Sequence, residues 1–146
     1  MKSIITNNES ETLNLAQDIS KRLSGGDLVG LKGNLGSGKT IFAKGLARGL
    51  GIKETVQSPT FVIMMLYRLK TKTGQAKKVK YFCHIDAYRI SPKDLIAIGA
   101  SEFIRRQDTI TIIEWADKLK GILPKKTKWI EIIQISQAKR KIKFNF

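Results

Sequence analysis

Eight consecutive residues, Gly33-Asn34-Leu35-Gly36-Ser37-Gly38-Lys39-Thr40, constrain this chain more than any other stretch, because they fit the pattern G-x-x-x-x-G-K-[ST] at every position. Apolar Leu28-Val29-Gly30-Leu31 leads into them as a strand. Ile41 to Leu50 leaves them as a helix, with Ile41, Phe42 and Leu46 on one face and Gly49 and Gly51 as stop signals. Strand, glycine loop and helix in that order turn successive backbone N–H groups inward at a helix N-terminus, where the dipole adds positive potential. A triphosphate fits such a cradle, held by Gly33, Asn34, Leu35, Gly36, Ser37, Gly38, Lys39 and Thr40. Lys39 would reach the β- and γ-phosphates and the Thr40 hydroxyl would ligate Mg2+. A plain Gly-rich turn between core elements needs neither the lysine nor the threonine at its fixed offset.

The 146 residues suit one domain, 1–146, with room for a real core and little else. No window approaches the roughly 18 to 20 uninterrupted apolar residues that span a bilayer, and Met1 to Asn8 lacks the apolar stretch of a signal peptide. The expected location is therefore cytoplasmic, with no membrane contact. Cys83 is alone, so it forms no internal disulfide and no Cys-rich metal site; its neighbours Tyr81 and Phe82 point to a buried strand thiol.

Lys and Arg number 27 against 12 Asp and Glu, a formal charge of +15. Arg68, Lys70, Lys72, Lys77, Lys78 and Lys80 form one run without an acid. Beyond Pro124, Lys125, Lys126, Lys128, Lys139, Arg140, Lys141 and Lys143 face Glu131 alone. Two explanations stand open: a polyanion-attracting surface that contacts nucleic acid, or the lysine and isoleucine enrichment of an AT-rich genome. Few aromatic residues interleave with either run, unlike a single-strand stacking platform.

Elsewhere strands and helices alternate. A short strand near Ile4 precedes a helix over Glu11 to Leu23, where Leu15, Ile19 and Leu23 recur at i, i+4 and Ser24-Gly25-Gly26 ends the run. Val56 to Thr60 reads as a turn, since the residue before Pro59 is pushed out of the helical region. Phe61 to Lys70 and Lys77 to Ile85 read as two strands joined across Thr71 to Ala76. Ser91-Pro92-Lys93-Asp94 is an N-cap followed by Pro at the first helical position and an acid in the first turn. Asp108 to Ile113 is an apolar and hence central strand. Trp129 to Ser136 and Lys139 to Phe146 form a closing hairpin. The expected fold is α/β: a P-loop NTPase-like three-layer sandwich with a mixed, largely parallel central sheet and a C-terminal β-hairpin.

Nucleotide chemistry also needs Mg2+ held by a carboxylate at the end of a neighbouring strand. Glu114 follows Thr109 to Ile113 in the layout of a Walker B element, and Asp86 follows Tyr81 to Ile85 in the same way. In an open parallel sheet the carboxyl ends of strands share one edge, so both acids should converge on the phosphates.

Leu31-Lys32-Gly33 through Lys39-Thr40, then Ser58-Pro59-Thr60-Phe61, then His84-Ile85-Asp86-Ala87-Tyr88-Arg89, then Ile113-Glu114-Trp115 resemble, in order and spacing, four signatures of the TsaE (YjeE) family. The resemblance runs from Thr12 to the Leu123-Pro124 turn, and H-x-D-x-Y-R and E-W joined to a P-loop are specific together. It implies a small bacterial ATPase, with ATP and Mg2+, required for threonylcarbamoylation of adenosine 37 in tRNA. Its partners would be TsaD and TsaB, which transfer the threonylcarbamoyl group while ATP hydrolysis resets their complex. Carried to this sequence, the resemblance makes Thr40 and Glu114 Mg2+ ligands and Asp86 a metal-linked or water-positioning acid. Lys39, Asp86, Glu114 and Thr60 become the catalytic set, with Thr60 sensing the γ-phosphate, and Trp115 lies beside the nucleotide. Ile41 departs from a second threonine common in the family, and the lysine-rich terminal hairpin is not a family signature.

Three residues stay open at this level. His84 is a packing residue or an acid–base group, Tyr88 is half core, and Arg89 is a phosphate-stabilising finger or the partner of Asp94 or Glu102. The competing functions are a small-molecule P-loop kinase, which needs an acceptor pocket and an Arg-bearing lid with no evident segment here, and a nucleic-acid-binding module with an incidental nucleotide site. A regulatory GTPase is disfavoured, since no [NT]-K-x-D motif occurs and Asp86-Ala87-Tyr88-Arg89 lacks the glycine of D-x-x-G.

Overall fold

A computed structural model describes residues 1–70 and 79–146. The loop expected across Thr71 to Ala76, the start of the strand expected at Lys77, and Lys72, Lys77 and Lys78 of the first basic run lie outside the described residues.

The strands are β1 (Lys2–Thr6), β2 (Leu28–Lys32), β3 (Met64–Arg68), β4 (Tyr81–Asp86), β5 (Thr109–Glu114), β6 (Lys128–Gln134) and β7 (Arg140–Phe144). The helices are α1 (Glu9–Ser20), α2 (Lys39–Gly49), α3 (Pro92–Ala97) and α4 (Ala100–Arg105), with a 3₁₀ turn at Ala116–Leu119. The strands form one sheet in the order β1-β7-β6-β2-β5-β4-β3. Its centre, β6-β2-β5-β4, is parallel, and antiparallel partners close each flank: β3 on β4, and β7 and β1 beside β6. This is the mixed sheet with a terminal hairpin that the sequence leads one to expect.

Strand parity sorts the core into two layers. Val29 and Leu31, Phe82, and Ile110 and Ile112 pack with Ala16 and Ile19 of α1 and Phe42, Ala43 and Leu46 of α2. Leu28, Cys83 and Ile85, and Ile113 face the other way, onto Leu95, Ala100, Ala116 and Leu119. Phe42 and Leu46 are fully buried, and each such burial contributes about 1.5–3 kcal/mol. By the same parity His84 and Asp86 on β4 and Glu114 on β5 belong to the α2 side. That places three polar side chains beside the N-terminus of the helix that follows the glycine loop.

Local chemistry moves several boundaries. Helix α1 starts two residues before the expected Glu11, because the Asn8 side chain accepts from the Glu11 amide at 2.8 Å while the Glu11 carboxylate accepts from the Asn7 amide at 2.7 Å. It ends at Ser20, short of Leu23. Gly49 is no stop signal but the last residue of α2, where a Cβ would come within 2.0 Å of Ser20 Oγ; Gly51, at φ 87°, ends the run. Ser91 caps α3 as expected, and Asp94 completes the reciprocal capping box. Strand β3 begins at Met64 rather than Phe61, since Pro59 to Ile63 is a tight turn with Ile63 at φ 68°. Phe61 and Val62 are consequently 89% and 63% exposed rather than half-covered on a sheet.

Candidate functional site

Leu28 to Lys32 runs up the sheet centre and delivers Gly33 to the edge where the parallel strands end. Gly36 and Gly38 both take positive φ, 75° and 105°, so the loop curls back over the N-terminus of α2 at little steric cost. Gly33 meets a second requirement: a Cβ there would stand 2.5 Å from the Ile132 carbonyl and 2.6 Å from Ser37 Oγ. Ser37 Oγ is buried and has no partner among the described residues. An unpaired buried hydroxyl inside a loop of this kind leaves a donor for a ligand oxygen.

Lys39 opens α2 with its ammonium folded back on the loop, donating to the Gly33 and Asn34 carbonyls, both at 2.8 Å. The same nitrogen lies 3.6 Å from the centroid of the Trp115 ring. Burial lowers the Lys39 pKa, and Glu114, Asp117 and Asp86 pull it back up. Trp115 takes up its place through a left-handed backbone, φ 60°, directly after β5, and its ring packs on Tyr88 at 4.9 Å. Tyr88 is thus 41% exposed at the rim of the site, not half core.

The two strand-end acids do converge: Asp86 and Glu114 are register partners at the ends of β4 and β5. Thr40 Oγ1 donates to both Glu114 oxygens, at 3.1 and 3.0 Å, which commits its only proton and leaves oxygen lone pairs for a cation. His84 Nε2 stands 2.8 Å from Glu114 Oε1 with both side chains buried. A carboxylate only accepts, so Nε2 carries the proton and holds that oxygen in place. His84 therefore orients the acid, and its Nδ1 is buried without a partner among the described residues. Asp86 serves a different segment. Its Oδ2 accepts from Thr60 Oγ1 at 2.9 Å and from Ser58 Oγ at 3.4 Å, and its Oδ1 from the Tyr88 amide at 2.9 Å. The turn at Ser58-Pro59-Thr60 is thereby tied to the end of β4.

Lys39, Thr40, Thr60, Asp86, Glu114 and Trp115 all line one open cavity of about 460 Å³, which also takes in Leu35, Gly36 and Gly38 of the loop. That volume suits a nucleotide-sized ligand. Among the described residues no group of three or more His, Cys, Asp or Glu side chains could hold a metal by itself. Thr40 with two nearby carboxylates is instead a sparse set of hard oxygen donors, which fits Mg2+ that shares its shell with phosphate and water. Asn8, Glu9 and Thr12 line an adjoining cavity with Gly38 and Ile41.

Arg89 makes no ion pair with Asp94 or Glu102; its guanidinium lies 5.9 Å from the Phe61 ring, at the edge of the site. The terminal basic run is less uniform than its sequence. Lys128 pairs with Asp27 at 2.7 Å and Lys143 with Glu131 at 3.5 Å, while Arg140 donates to the Ser37 carbonyl of the glycine loop at 2.8 Å. Sequence reasoning missed this last residue, since spacing gives no sign that a strand more than a hundred residues away lies over the loop.

Comparison with known proteins agrees with this geometry. The family model described as "Threonylcarbamoyl adenosine biosynthesis protein TsaE" matches residues 6–142. Proteins named tRNA threonylcarbamoyladenosine biosynthesis protein TsaE are similar over nearly the whole length. That of Treponema pallidum is 32% identical, covering 94% of this chain and 96% of its own. That of Aquifex aeolicus is 34% identical, covering 98% and 95%. The crystal structure of Bacillus subtilis YdiB superposes with a TM-score of 0.77 at 31% identity, covering 98% of this chain and 83% of that one.

Proposed function

The chain belongs to the TsaE family of tRNA threonylcarbamoyladenosine biosynthesis proteins, and from that footing we propose that it is a slow, Mg2+-dependent ATPase acting as a nucleotide-driven switch on TsaB and TsaD. The observation that carries this reading is the meeting of Thr40 and Glu114 at the mouth of a P-loop whose lysine and glycines are all in place. The loop amides of Gly33 to Thr40 bind and orient the β- and γ-phosphates, with Lys39 turning from its carbonyl partners to the phosphate oxygens. Bound Mg2+ would neutralise charge that develops on the transferring phosphoryl group. Thr40 and Glu114 hold that ion, and His84 keeps the Glu114 carboxylate in position through Nε2. Asp86, with Thr60 and Ser58 on one oxygen, orients the attacking water or the γ-phosphate side of the switch turn. Trp115 covers Lys39 and keeps water from that flank.

Partner dependence rests on the rim. Leu35 at the loop tip and Phe61 and Val62 in the switch turn are 76%, 89% and 63% exposed, apolar side chains left uncovered beside the cavity. Among the described residues no element forms an Arg-bearing lid over the mouth, so hydrolysis and signalling to a docked protein suit this site better than transfer to a small molecule.

Glu114→Gln separates the roles. The backbone cradle supplies most ground-state binding, whereas metal placement acts in the transition state. Titration calorimetry should find ATP affinity changed by no more than a few-fold, while turnover falls by about 10²- to 10³-fold. Affinity and turnover collapsing together would make Glu114 a binding or folding residue and end this assignment.

A further inference from the structure

Arg140, at the start of β7, is the one basic residue of the closing hairpin that touches the phosphate loop among the described residues. Its Nε donates to the Ser37 carbonyl at 2.8 Å, and its Nη1 reaches the carbonyls of Ser136, Gln137 and Lys139 at 2.9, 3.0 and 3.1 Å. These four contacts fix the guanidinium plane and use two of its three nitrogens. Nη2 makes no hydrogen bond to the described residues. The residue is only half-buried and lines both the cavity of Thr40 and Glu114 and the adjoining one of about 240 Å³ beside Asn8 and Thr12. It therefore stands where the two meet, next to Gly38, whose added Cβ would come 3.6 Å from Arg140 Nε.

Charge gives this position a purpose. The larger cavity is lined by three acids, Glu9, Asp86 and Glu114, and three cations, Lys39, Arg89 and Arg140. Lys39 is folded onto the Gly33 and Asn34 carbonyls beneath Trp115, and Arg89 lies toward Phe61 at the outer edge. Arg140 alone is braced against the loop on the side of the second cavity. A planar guanidinium held from behind by carbonyls presents its remaining N–H pair at little entropic cost.

We propose that Arg140 is a nucleotide ligand, offering Nη2 to the phosphate nearest the sugar where the nucleotide passes between the two cavities. The proposal rests on reading the larger cavity as an ATP site. Mg-ATP and Mg-ADP titrations on the wild type, Arg140→Gln and Arg140→Lys test it, with melting curves of the unliganded proteins alongside. Arg140→Gln should weaken ATP and ADP by the same factor, about ten- to a hundred-fold, because both carry that phosphate. Arg140→Lys should recover part of both affinities, since it keeps the charge although it loses the brace. Unchanged affinities in Arg140→Gln overturn the proposal. So does a lysine variant as weak as the glutamine variant, which would make the brace the whole effect, or a loss confined to ATP, which would place the contact at the terminal phosphate. If the wild type bound neither nucleotide, the ATP-site reading itself would fail instead.

Discussion

Cys83 and His84 are neighbours on one strand with opposite surroundings. Cys83 faces the apolar layer under α3 and α4, and burial pushes its thiol up to about 12. His84 faces α2 and the Glu114 carboxylate. For Cys83 the sign is direct: the fold favours the protonated thiol, so its contribution to stability is complete below the ordinary value of 9.0. It is lost progressively as pH rises from there toward 12. An aromatic disulfide reagent at pH 8 should leave the native thiol unmodified and titrate one thiol per chain in denaturant. Rapid native labelling would contradict the burial of β4. The buried character of Cys83 was legible from its apolar neighbours. The use of His84 was not, because residue type alone does not separate a packing imidazole from one bonded to an acid thirty residues later.

At the scale of elements, the glycine loop, the α3 cap and the central strand β5 were all readable, since each rests on a local rule of backbone geometry or on an apolar run. What misled was Gly49, which serves contact with Ser20 rather than turning, and Gly45, read correctly as helical, is a second contact glycine. Gly45 lies on the face of α2 that meets α1, where a Cβ would stand 2.6 Å from Ala16 Cβ and 2.6 Å from the Leu13 carbonyl. Two effects compete in Gly45→Ala. Helix propensity favours alanine by about 1 kcal/mol. Overpacking against a backbone oxygen, which cannot swing aside, costs about 1–3 kcal/mol. The clash should win, so chemical denaturation should find this variant less stable than the wild type, with the slope unchanged. A stabilised variant would mean that α1 and α2 stand further apart. The start of β3 was unreadable for a different reason: Phe61 and Val62 look like strand residues, but both lie in the turn that Asp86 holds through Thr60.

The whole molecule places its chemistry at one edge of the sheet. Parallel β2, β4 and β5 bring the loop, Asp86 and Glu114 together, and the antiparallel β6–β7 hairpin lays Arg140 across the loop. No described helix is long and apolar enough to cross a membrane. Part of the net charge of +15 is paired within the fold, at Lys128, Arg140 and Lys143. Arg68, Lys70 and Lys80 of the first run and Lys125, Lys126 and Lys139 of the second remain exposed, and a weak tRNA contact would act through such residues. A site with exposed apolar side chains at its rim should turn over slowly by itself and answer to a docked protein. The direct test is steady-state phosphate release from Mg-ATP by the chain alone and with the TsaB and TsaD proteins of its own organism. A panel of sugars and nucleosides, tested as phosphate acceptors, completes the measurement. The account predicts slow release alone, a changed rate with the two partners, and no phosphorylated acceptor. Rapid transfer to a small acceptor, or release indifferent to TsaB and TsaD, would contradict it.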